Sequence, residues 1–168
     1  MKLPALLTTI AAAAALLAPL GLAAPARAQT AASPLISSWT LTEMKAMMVA
    51  DGMTVNKVSL LENDTPFLAL TTKDDVNFGI QGSACSGEGL AQRCSGAILV
   101  SSVDFDTAAS AKAVLAELDF AAVTITSDGG DSLSLNRYVI FDHGIHRKNL
   151  STNVEVFLNI LEQVMAME

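Results

Sequence analysis

Residues 53–81 read MTVNKVSLLENDTPFLALTTKDDVNFGIQ. Three strand-like runs, 53–61, 66–72 and 76–81, are separated only by Glu62-Asn63-Asp64-Thr65 and Lys73-Asp74-Asp75. Connections this short join antiparallel neighbours, because a parallel pair needs a crossover of a dozen or more residues. A Gly/Ser-rich stretch, 82–89, runs on as a loop towards Cys94, and 95–105, with Ile98, Leu99, Val100 and Val103, reads as a fourth strand.

Upstream, 41–50 reads as a helix. Thr40 and Glu43 have the spacing of a capping box, and Leu41, Met44, Met47 and Met48 share one face. Gly52 supplies the stop. Downstream, Asp106 caps a helix over 107–118, and 120–126 is a strand. Ser127-Asp128-Gly129-Gly130-Asp131 turns into a last strand, 133–141. Leu133, Leu135, Arg137, Val139 and Phe141 lie on one side of it, with Arg137 assigned to a frayed or solvated position. A final helix begins at Asn149 or Ser151 and carries the stripe Val154, Phe157, Leu158, Leu161 and Met165. The expected fold class is α+β: an antiparallel sheet with helices packed on it, in the order α-β-β-β-β-α-β-β-α.

The chain has 168 residues and a net charge of −7, with 51% hydrophobic residues. The length suits one domain, and the acidic balance argues against a nucleic-acid footprint. Residues 1–28 read as a secretory signal: Lys2, an apolar stretch to Leu22, then Ala26-Arg27-Ala28 at the cleavage position. Residues 29–38 are a flexible lead-in and 39–168 the domain. Loss of Lys2 and Arg27 leaves eight cations against 17 acids, a charge of −9. The expected location is a bacterial periplasm or the exterior, with no membrane anchor after cleavage. In that compartment Cys85 and Cys94 form a structural disulfide, since their spacing is not the CxxC of redox enzymes.

Candidate chemistry is sparse. Asp142-His143-Gly144-Ile145-His146 offers two imidazoles, and His143 and His146 are the weak metal candidates, with Asp142 or a distant acid as a third ligand. No GxSxG or SxxK motif marks a nucleophile. No cofactor is expected, and the chain is read as a non-enzyme.

Several segments together resemble the YbjN family of bacterial proteins, often labelled sensory-transduction regulators. They are Ala50-Asp51-Gly52 after the first helix, Asp64-Thr65-Pro66-Phe67-Leu68, the cysteine pair before Ser95-Gly96-Ala97-Ile98-Leu99, and the ending of strand, Gly144-Ile145, Asn149-Leu150 and a helix with Phe157. The middle helix lacks the family's asparagine- and tryptophan-containing motif. The resemblance implies a fold similar to type III secretion chaperones, polypeptide partners, and often a homodimer. It carries over no catalytic residue.

The expected function is therefore an exported, chaperone- or adaptor-like module that binds an unidentified protein or peptide, without nucleic acid. An exposed sheet edge, or a groove formed by Met44, Met47, Met48 and Phe157, would hold the partner. The same methionines also suit plain core packing. The alternative is a small-molecule or metal sensor that uses His143 and His146.

Overall fold

A computed structural model describes residues 35–167. The signal segment 1–28 and residues 29–34 of the lead-in lie outside the described residues. The elements are α1 (Leu41–Ala50), β1 (Thr54–Leu60), β2 (Pro66–Thr71), β3 (Asn77–Ser86), β4 (Arg93–Asp104), α2 (Ala108–Glu117), β5 (Thr124–Thr126), β6 (Ser132–Ile140) and α3 (Arg147–Met165), with a 3-10 turn, Gly89–Ala91, between β3 and β4. The strands form one antiparallel sheet in the order β1-β2-β3-β4-β6-β5.

The first helix forms where its cap predicts. The Thr40 hydroxyl accepts from the Glu43 N–H at 3.3 Å, and the Thr40 N–H donates to the Glu43 carboxylate at 2.8 Å. Its far end closes on Gly52 at φ +86, a left-handed conformation that glycine adopts without steric cost.

All three helices lie on one face of the sheet. α1 packs on β1 and β2, α2 on β6, and α3 on β4 and β6. Strand alternation sends Leu68, Leu70, Phe78, Ile80, Leu99 and Leu135 into this layer, where they are buried. The helices answer with Met44, Met48, Val154, Phe157 and Leu161, also buried. Phe78 and Phe157 meet with ring centroids 6.3 Å apart. Each such side chain contributes about 1.5–3 kcal/mol on burial.

Several local expectations are corrected. The stretch expected to leave the sheet at Gly82 instead continues as strand to Ser86, because its backbone pairs with β4 down to Ser86↔Arg93. α2 is capped by Thr107, whose hydroxyl accepts from the Ser110 N–H, not by Asp106. α3 starts at Arg147, earlier than expected, and Met165 is exposed while Ile160 and Val164 take its place in the core. Residues 35–38 are not a free lead-in. Ile36 exchanges backbone hydrogen bonds with Ile145 at 2.8 and 2.9 Å, and Trp39 does so with Cys94 at 3.0 and 2.9 Å. Arg137 is not solvated. It sits half-buried on the helix side, donating to the Asn153 side chain and to the Ala122 carbonyl.

Candidate functional site

The predicted partner groove does not form. Met44, Met48 and Phe157 are fully buried, and Met47 is half-buried against them. The physical reason is that α1 and α3 each turn their apolar stripe onto the sheet, which leaves Met47 as the one of the four at the surface, in the wall of a shallow groove with Ile36, Trp39 and Arg93.

What α1 leaves open lies on its other side, along the sheet edge. Among the described residues β1 pairs with β2 alone, which leaves its second hydrogen-bonding side without a strand partner. The Leu61 N–H donates to the Thr65 carbonyl at 2.9 Å, and β1 then pairs in step with β2 through Leu60↔Pro66, Ser59↔Phe67 and Val58↔Leu68. Antiparallel bonding alternates, and Pro66 has no N–H to offer. The backbone groups of Leu60 and Val58 therefore point to the free edge. Beside them runs a groove of about 590 Å³ lined by Leu41, Thr42, Lys45, Ala46, Val49 and Val58. Val49 and Val58 are exposed apolar side chains. Sequence reading missed this groove because Val49 falls off the α1 stripe and reads as ordinary helix surface. The sequence offers Val58 and Leu60, spaced two apart, as a signal, and the topology makes their strand an edge.

α1 is tied down at both ends. At its start, Arg93 donates to both Glu43 oxygens, at 3.3 and 3.1 Å, and to Ser38. Burial works to raise the Glu43 carboxyl, but the Thr40 N–H and the Arg93 guanidinium outweigh it and hold the group below its ordinary value of 4.5. At its end, Arg147 donates to the Asp51 carboxylate at 2.6 Å and to the Met47 carbonyl at 2.5 Å. A cation at a helix C-terminus is favourable.

Cys85 and Cys94 are joined, directly opposite each other across β3 and β4. Their sulfurs lie against Gly82, where an added Cβ would come within 2.6 and 2.8 Å of them. A nine-residue separation gives about 2–3 kcal/mol of loop-closure stabilisation. A polar cavity of about 600 Å³ opens beside the disulfide, with Asp64, Thr65, Glu88 and Gln92 in its wall.

The histidines are placed without a ligand set. The His143 side chain is 94% exposed, and its ring nitrogen is 3.5 Å from Asp142. His146 is the residue before α3 and makes no side-chain cap. Among the described residues, no group of three or more His, Cys, Asp or Glu side chains is assembled for a metal.

The fold thus defines an α+β protein with a six-stranded antiparallel sheet covered on one side by three helices. It is similar to the crystal structure of an uncharacterized protein from Methanothermobacter thermautotrophicus, with a TM-score of 0.57 over 77% of this chain and 96% of that one, at 14% identity. No family model matches the chain. No curated protein matches it. No described helix is long and apolar enough to cross a membrane.

Proposed function

We propose that the chain is an exported, non-enzymatic module that binds an extended apolar peptide by strand addition to β1. One observation carries the reading: the free hydrogen-bonding edge of β1 runs directly beside the groove of Val49, Val58 and Leu41. Backbone pairing along an edge supplies affinity, and a pocket for alternate side chains supplies selectivity. The resemblance to YbjN proteins and their chaperone-like fold points the same way, towards a polypeptide partner. The amino-terminal signal pattern supports export to the periplasm or beyond.

The test is an NMR titration of the purified chain with a soluble heptapeptide of alternating valine and threonine. Amide shifts confined to residues 41–49 and 54–60, with binding weakened about tenfold by Val49→Asp, are the expected result. Shifts elsewhere, or none at about millimolar peptide, overturn it.

A further inference from the structure

The sheet face turned away from the helices has a composition unlike the rest of the molecule. Its central row runs through Ser59, Phe67, Gln81, Ile98 and Tyr138, one residue from each of five strands. The next row runs through Lys57, Ala69, Gly79, Val100, Asn136 and Thr124. Tyr138 is 52% exposed and Ile140, on the same side of β6, 59%. The rings lie flat. Phe67 covers Gly79, where an added Cβ would meet its ring at 2.5 Å, and Tyr138 covers Gly96, where its hydroxyl would be met at 2.9 Å. The Tyr138 and Ser83 hydroxyls are hydrogen-bonded at 3.0 Å. Asn56, Thr71 and Asn77 form a chain of side-chain bonds at 2.6 Å each. The polar groups here are neutral and partly satisfied among themselves.

Charge is the informative feature. The six strands hold four charged residues, Lys57, Arg93, Asp104 and Arg137. Arg93 and Arg137 reach the helix side. Only Lys57 and Asp104 belong to the open face, one cation and one anion, at opposite borders of it. The chain as a whole carries 17 acids against ten cations. Two copies meeting through any acidic part of the surface would repel. Meeting through this face, they would not.

We infer that the helix-free face is a self-pairing surface, covered by the same face of a second copy. The register makes the pairing specific. Lys57 and Asp104 lie three strands apart and four residues offset, roughly 20 Å at about 4.8 Å between strands and 3.3 Å per residue. The perpendicular bisector of that line crosses Val100 and Tyr138. A two-fold axis along it sets Lys57 of each copy opposite Asp104 of the other, as an isologous contact requires, and stacks the apolar centre on itself. The strands of the two sheets then cross near a right angle, one of the two usual sheet-on-sheet arrangements. A face of roughly 20 by 30 Å per copy buries about 1,000 Å² or more in total, the lower bound of a specific interface. The surface shares β1 with the edge groove but uses the side-chain face turned away from α1, and either assignment stands without the other.

Sedimentation equilibrium on the purified chain tests it. A dimer at about 100 μM or below is expected. Ile140→Asp dissociates it at least tenfold, with the fold checked by circular dichroism. Lys57→Glu and Asp104→Lys each weaken self-pairing about tenfold, while an equimolar mixture of the two variants pairs again, because each supplies the charge the other lost. A monomer at about 100 μM overturns the inference, and so does a dimer indifferent to Ile140→Asp and to the charge exchange. The heptapeptide titration reads the hydrogen-bonding edge of β1 and the α1 groove rather than the open face, so the two tests fail separately.

Discussion

The two faces of this sheet are built by different rules from the same strands. On the helix side, β4 contributes Ala97, Leu99 and Val103, all buried, and α3 fills the space above them with Val154, Phe157 and Leu161. On the open side, the same strand contributes Gly96, Ile98, Val100 and Ser102, and the space above Gly96 is filled by a ring from its own neighbour, Tyr138. One face is closed by another layer. The other is closed, in part, by side chains lying down within the sheet. Stability therefore concentrates on the first face.

The largest effect that sharpens this contrast comes from Phe157→Ala. The ring is fully buried and meets Phe78. Its removal leaves a cavity in the closed layer and is expected to cost about 3–5 kcal/mol. Ile140→Ala on the open face is expected to stay within about 0.5 kcal/mol when measured well below any pairing concentration. Denaturant midpoints with unchanged slopes read both. Equal losses at the two positions would break the contrast.

The closed face was largely legible in the sequence because periodicity reports burial. Leu133, Leu135 and Val139 in β6, and Phe141 just after it, are buried as their alternation predicts. Leu41, Met44 and Met48 mark the buried face of α1 in the same way. Arg137 broke the pattern and was misread, since nothing local announces a partner 16 residues away in Asn153. The continuation of β3 past Gly82 was missed for a related reason. Gly, Ser and Ala carry no hydrophobic period, so only the opposing strand shows that Ser83 and Cys85 are paired. The α+β class and the disulfide followed from short turns and from compartment logic. The candidate groove did not, because a stripe of Met44, Met47, Met48 and Phe157 looks alike whether it meets solvent or a sheet. The groove that does exist depends on which strand ends the sheet, and edge position is a property of topology.

A second, smaller effect tests how the open face is filled. An added Cβ at Gly79 would lie 2.5 Å from the Phe67 ring and 2.9 Å from Val100. Gly79→Ala is expected to cost about 1–3 kcal/mol by overpacking. Phe67→Ala in the same chain removes the obstruction and is expected to recover most of that loss. A double-mutant cycle measures the coupling, and additive losses would show that the ring does not lie over the glycine.

The smallest effect concerns the tether of α1 to the closed face. Glu43 caps the helix and receives Arg93 from β4, but its side chain is 49% exposed, so water and salt screen most of the attraction. Its carboxyl is held below the ordinary value, which means the folded state prefers the charged form. The associated stability is fully present above the unfolded pKa and is lost as pH falls through the folded one. Glu43→Gln keeps a side-chain acceptor for the Thr40 N–H while deleting the charge. The variant is therefore expected to be less stable than the parent by less than about 1 kcal/mol at neutral pH and low salt. The gap should close in acid, once the parent's Glu43 is protonated, and shrink in high salt. Urea midpoints across this pH range measure it. A gap that persists in acid would assign the tether to helix capping and packing, leaving the Arg93 charge without a part in holding α1 on the sheet.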